Sequence, residues 1–149
     1  MIKITNSFKE TIELGKNFSS FLKEKDVVIL EGMLGAGKTT FLKGVLKGLG
    51  KRNIVVSPSF VLLREYKTKK FFIYHIDLYR LDKKEIFSWG IEDYLYTEGG
   101  ITFIEWGKKV QEFLPSYIKI EFFFLAENKR KIAFSFKNHH LIKDEFFRN

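Results

Sequence analysis

The sequence predicts an α/β fold: a mixed parallel and antiparallel sheet, flanked by helices, around a phosphate-loop core. Three observations lead there. The run Gly32-Met33-Leu34-Gly35-Ala36-Gly37-Lys38-Thr39 fits the pattern G-x-x-x-x-G-K-[ST] without a gap. A short apolar run at residues 27–30 stands before it and a helical pattern at 39–49 follows, which is the strand–loop–helix setting the motif needs. Later strand-like segments form hairpins instead of βαβ units, and so add antiparallel strands to the sheet.

The elements follow in order. A first helix is predicted over residues 7–23, because Ser7 and Glu10 have capping-box spacing and Phe8, Ile12, Phe18, Phe21 and Leu22 recur at helical intervals. In the helix at 39–49, Leu42, Val45, Leu46 and Leu49 follow i, i+3, i+4, i+7, and Gly50 is placed to stop it. Residues 55–60 read as an extended loop, since Pro58 disfavours helix at Ser57. Segments 60–66 and 71–76, joined by a lysine-rich turn, read as an antiparallel hairpin. Short helices are predicted at 83–89 and 91–96. Gly99-Gly100 breaks the chain before an apolar strand at 101–104, and a weak helix at 108–113 ends near Pro115. The last strands are 117–125 and 131–136, where Ile118, Ile120 and Phe122 alternate with Lys119 and Glu121 and leave one face wet. Residues 137–149 read as a flexible tail on a single P-loop domain spanning 1–149.

The chain has no cysteine, which excludes disulfides and thiolate metal sites. No stretch approaches the roughly 20 apolar residues of a membrane span, and the N-terminus carries no targeting signature, so the expectation is a soluble cytoplasmic protein with no membrane association. A net charge of +8 admits a nucleic-acid partner. However, 21 lysines against five arginines, beside abundant Phe, Ile and Asn, suit a biased composition equally well, and no nucleic-acid motif is present.

The phosphate loop has a chemical reason at each position. Glycines let the backbone curl so that successive N–H groups face one concavity at a helix N-terminus, where amides and dipole favour an anion. Lys38 adds a mobile charge for the β- and γ-phosphates, and the Thr39 hydroxyl is placed to ligate magnesium. Hydrolysis needs in addition an acid for the metal shell and a group to orient water. Glu105 and Asp77 each follow an apolar strand, at the strand ends where α/β ligands gather. Glu105 is the first choice for the metal; Asp77 is placed to orient water or reach the metal through it. Either acid reads equally as a surface group. His75 admits proton transfer or a packed structural role, the latter favoured by its apolar strand. Trp106 either covers the site or fills the core, and Arg80 either meets phosphate or pairs with Asp77 or Asp82. The nearest approach to a guanine-reading N-K-x-D is Asn128-Lys129-Arg130-Lys131, where lysine replaces the acid, so a guanine-specific GTPase is disfavoured. A small-molecule kinase lacks its substrate lobe.

The series Gly32 to Thr40, Ser57-Pro58-Ser59-Phe60, His75-Ile76-Asp77-Leu78-Tyr79-Arg80-Leu81 and Glu105-Trp106, in this order and spacing, resembles the bacterial TsaE (YjeE) family over residues 10–124. Phosphate loops are widespread; the H-x-D-L-Y-R-L segment with the later E-W pair is the specific part. The resemblance implies an ATPase using ATP and Mg2+ that supports threonylcarbamoyladenosine synthesis on tRNA. It implies TsaD-like and TsaB-like partners, tRNA contact through the complex, and transfer left to TsaD. It also implies that Gly35, Ala36, Gly37, Lys38, Thr39 and Thr40 hold the phosphates and that Thr39 and Glu105 flank the metal. Asp77 would support hydrolysis, Trp106 would shape the site, Thr11 would lie near the nucleotide, and residues 57–60 would act as a switch-like loop. Met33, Ser59 and Gly107-Lys108-Lys109 depart from the family pattern. Slow turnover by the isolated chain is expected. The alternative is a non-enzymatic ATP-gated interaction module.

Overall fold

The computed structural model describes residues 1–51 and 62–143. In chain order the elements are β1 (Ile2–Thr5), α1 (Phe8–Ser19), β2 (Val27–Glu31), α2 (Lys38–Gly48), β3 (Leu63–Lys67), β4 (Phe72–Asp77), α3 (Lys83–Trp89), β5 (Gly100–Glu105), β6 (Tyr117–Ala126) and β7 (Lys129–Lys137). Single 3-10 turns stand at Ile91–Tyr94, Gly107–Lys109, Gln111–Phe113 and His140–Lys143.

The strands form one sheet in the order β1-β7-β6-β2-β5-β4-β3. Its centre, β6-β2-β5-β4, is parallel. Antiparallel pairs β6–β7, β7–β1 and β3–β4 extend it at both sides. The predicted mixed α/β sheet is therefore what forms. The hairpin reading is correct for β3 and β4, but it missed that β4 also runs parallel to β5. Asp77 thus ends a parallel strand, as Glu105 does, and the two are register partners.

β2 and β5 are buried along their whole length, as strands covered on both faces must be. Alternation divides their side chains between two cores. Val28 and Leu30 join Phe18, Phe41, Leu42 and Phe103 beneath α1 and α2. Val27 and Ile29 join Ile76, Leu78, Ile86 and Ile104 beneath α3 and the 3-10 turns. Each fully buried side chain of this size contributes about 1.5–3 kcal/mol.

α1 begins where the capping signal placed it. The Ser7 side chain accepts the Glu10 N–H, while the Glu10 carboxylate takes the N–H of Asn6, one residue before the cap. The helix ends at Ser19, short of the predicted 23, and Phe8 from the predicted stripe is exposed. α1 and α2 cross closely, because a Cβ on Gly15 would meet the Phe41 carbonyl oxygen at 2.2 Å and one on Gly44 the Ile12 carbonyl oxygen at 2.0 Å. The predicted helix at 108–113 is two separate 3-10 turns, and residues 91–94 form a third.

β1 was not foreseen. Its alternation gives only one buried side chain, Thr5, and its existence depends on pairing with β7. The tail reading needs correction in its described part. β7 extends to Lys137, His139 Nε2 hydrogen-bonds the Asp26 carboxylate at 2.7 Å, and Leu141 is buried. The Asp26 carboxylate also accepts the Lys23 N–H, and His139 Nδ1 accepts the Leu141 N–H. That clasp fastens the chain after β7 to the start of β2. Residues 144–149 lie outside the described residues.

Candidate functional site

The phosphate loop joins β2 to α2. Gly37, at the helix N-cap, has φ +110°, a conformation glycine takes without steric cost. The first amides of α2 thereby face the loop. Lys38 is buried; its Nζ lies 2.6 Å from the Gly32 carbonyl oxygen and 3.5 Å from the Glu105 carboxylate. The sheet explains this meeting. Glu105 ends β5, the parallel neighbour of β2, in register with Leu30. A cation from the loop and an anion from the next strand end therefore share one place.

The other oxygen of Glu105 is 2.8 Å from His75 Nε2. Of the two roles open to His75, the structure places it in the packed one: it is 1% exposed and lies in β4 behind the carboxylate. Burial opposes charge on Glu105, but the His75 hydrogen bond, the imidazole's charge and the Lys38 ammonium together outweigh it and hold this carboxyl below its ordinary value. Glu105 therefore presents an anion at neutral pH.

Around these groups lies a cavity of about 630 Å³, a size suited to a small-molecule ligand. Gly35, Gly37, Lys38, Thr39, Thr40, Asp77, Glu105 and Trp106 line it, so the fold gathers most of the residues picked from the sequence. Arg80 lines it too, from the exposed turn after β4. Asp77 Oδ1 accepts the N–H of Tyr79 at 2.9 Å, which tightens that turn. Trp106 has a positive φ of 61°, uncommon for a bulky residue. That conformation brings its ring 4.9 Å from the Tyr79 ring and 5.4 Å from Lys38 Nζ. It covers the site.

Two picks are placed otherwise. Thr11 is buried, with its hydroxyl 2.7 Å from that of Thr5, and does not line the cavity. Ala36 contributes its side chain to the core beneath α1 and α2 and its N–H to the Met33 carbonyl. The predicted switch-like loop at 57–60 lies outside the described residues.

Sequence reasoning missed two groups. Arg130, on β7, is 5% exposed and lines the cavity. Its guanidinium donates to the Gly35 carbonyl and to those of Ala126, Glu127 and Lys129, and it lies 4.7 Å from the Phe124 ring. It belongs to the segment compared above with a guanine-reading motif; nothing local distinguishes it. Glu31, the last residue of β2, accepts the Lys108 N–H at 2.7 Å and ties the phosphate loop to the turn after Trp106.

Burial raises the Glu31 carboxyl above its ordinary value, and the Lys108 N–H and nearby lysines only partly offset this. A raised pKa means that the folded state holds this proton more tightly than the unfolded chain. Stability from this group is full below the unfolded value of about 4.5 and declines as pH rises through the higher folded value. Glu31→Gln keeps an acceptor without the charge. Its urea midpoint is expected to exceed wild type at neutral pH and to match it in acid; a lower midpoint at neutral pH would overturn this.

A threonine hydroxyl and two carboxylates, all oxygen donors of the kind a hard cation takes, line the same cavity. No described helix is long and apolar enough to cross a membrane.

Comparison with known proteins shows the family. Residues 5–132 match the family described as threonylcarbamoyl adenosine biosynthesis protein TsaE. A protein of Rickettsia prowazekii (strain Madrid E), named tRNA threonylcarbamoyladenosine biosynthesis protein TsaE, is 43% identical over 128 residues, covering 84% of this chain and 88% of that one. Its namesake in Bacillus subtilis (strain 168) is 38% identical over 128 residues, covering 85% and 80%. The crystal structure of YdiB from Bacillus subtilis superposes with a TM-score of 0.75 at 32% identity, covering 90% of this chain and 83% of that one. With its phosphate loop, parallel core and strand-end carboxylates in place, the chain belongs to the TsaE family.

Proposed function

We propose that this chain is a magnesium-dependent ATPase that supports threonylcarbamoyladenosine modification of tRNA, acting with TsaD-like and TsaB-like partners and leaving the transfer reaction to them. The observation that carries the ATPase reading is the meeting of Lys38 and Glu105 at 3.5 Å between two parallel strand ends, inside a cavity lined by the phosphate loop. The role in tRNA modification rests on the family and on the names of the relatives.

The chain's own groups divide the work. The loop amides and Lys38 bind the phosphates; an incoming phosphate draws the ammonium from the Gly32 carbonyl. Thr39 and Glu105 would hold magnesium, which supplies charge neutralisation on the phosphates when bound. His75 keeps the Glu105 carboxylate oriented. Asp77 orients the attacking water, and Trp106 and Tyr79 limit access of bulk water above Lys38.

The test is ATP hydrolysis with magnesium, for wild type and Lys38→Ala, with and without the two partners and tRNA. Partner-stimulated turnover that falls by about 100-fold or more in Lys38→Ala is the expected result. ATP binding with no turnover under any condition would replace this reading with an ATP-gated interaction module. The exposed apolar side chains of Met33 and Leu34, at the rim of the same cavity, give that second reading its surface.

A further inference from the structure

We propose that Lys109 is a positioning residue for this site: its ammonium group holds the turn that carries Asp77, Tyr79 and Arg80. The inference rests on the ATPase reading for its effect on rate, and on geometry alone for its effect on the turn.

Lys109 Nζ lies 2.8 Å from each of three carbonyl oxygens, those of Leu78, Tyr79 and Leu81. An ammonium has three donors, and all three are used. Carbonyl dipoles aimed at one point repel one another, so the turn after β4 keeps this shape only while a cation stands among them. The turn also has bonds of its own. Leu81 N–H reaches the Leu78 carbonyl, Leu78 N–H reaches the Glu105 carbonyl, and Asp77 accepts the Tyr79 N–H.

Lys109 is itself placed by the other side of the site. It closes the 3-10 turn Gly107–Lys109, directly after Glu105 and Trp106. One side chain thus locks the loop ending β4 to the loop ending β5. The Tyr79–Trp106 ring contact at 4.9 Å is a second link between the same loops. The phosphate loop has separate anchors in Arg130 and in the Lys38 contacts. Loss of Lys109 should therefore displace Asp77 and Arg80 while leaving phosphate binding in place.

The experiment compares Lys109→Met and Lys109→Arg with wild type in the assembled complex. Three quantities are read: kcat, ATP affinity from Trp106 fluorescence in a Trp89→Phe background, and amide hydrogen exchange at Leu78 and Leu81. Lys109→Met is expected to lose about tenfold or more in kcat, because a small displacement of a catalytic group costs this much or more. Its affinity should stay within about twofold of wild type, since the phosphate loop keeps its own anchors. Exchange at the two amides should rise about tenfold as the turn opens. Lys109→Arg keeps the charge and should recover part of the rate.

Unchanged kcat and exchange in Lys109→Met would overturn the proposal. Equal loss of affinity and rate would also overturn it, in favour of general scaffolding. If wild type shows no hydrolysis under any condition, the ATPase reading fails instead, and exchange alone judges the brace. Should Lys109→Met not fold, Lys109→Gln enters the same comparison.

Discussion

Glu105→Ala is expected to retain nucleotide binding and to lose hydrolysis by on the order of 100-fold or more. The phosphate loop does not need the carboxylate to bind phosphate, because its amides and Lys38 remain. Removing the carboxylate frees Lys38 from a competing anion, which helps binding. On the proposed reading, what disappears is the acid that would complete a metal shell beside Thr39. Glu105→Gln sharpens the test. It preserves the shape and an acceptor for His75 but carries no charge, so a similar loss of rate assigns the effect to the anion. Single-turnover rates with saturating magnesium and ATP would read it. Normal hydrolysis in either variant would remove Glu105 from the metal site. The pH profile should agree: since the Glu105 carboxyl is held below its ordinary value of about 4.5, its protonation does not limit the rate until pH falls below that value. Its contribution to stability is likewise present above the unfolded value and lost as pH drops through the folded one.

Gly44→Ala is expected to destabilise the fold by about 3 kcal/mol, lowering the thermal midpoint by about 6–12 °C. Two effects compete. Alanine is the better helix former, by about 1 kcal/mol at a helix interior. Against this, its Cβ would lie 2.0 Å from the Ile12 carbonyl oxygen and 2.8 Å from the Ile12 carbonyl carbon. Those atoms are backbone in the middle of α1, so no rotamer relieves the clash and the helices must separate. Gly15 makes the reciprocal approach to Phe41, which lets both helices bring their apolar faces onto the same core. Because α2 begins at Lys38, separation also moves the phosphate loop. Calorimetry of the variant decides the matter: an unchanged or higher midpoint would show that helix propensity outweighs the crossing.

The parts of this protein that could be read from residue order are those whose cause is local. The phosphate loop, the extent of α2, the Ser7 cap and the alternation of β6 each depend on neighbours within about one helical turn or a few strand residues. Glu105 and Asp77 were visible as acids following apolar runs. Their partnership was not, because it required β4 to lie parallel to β5, and a hairpin pattern shows one partner of a strand but not the other. β1 was hidden for the same reason: four residues with one buried side chain are a strand only beside β7. Arg130 reaches Gly35 from 95 residues away, Glu31 reaches Lys108 across 77, and Lys109 reaches Leu78 across 31. Charged side chains are abundant in this chain, and nothing local in the sequence tells one from another. Strand order and register decide which of them stands beside a particular carbonyl or carboxylate, and those come from burying both faces of one sheet, a property of the whole chain and not of any segment in it.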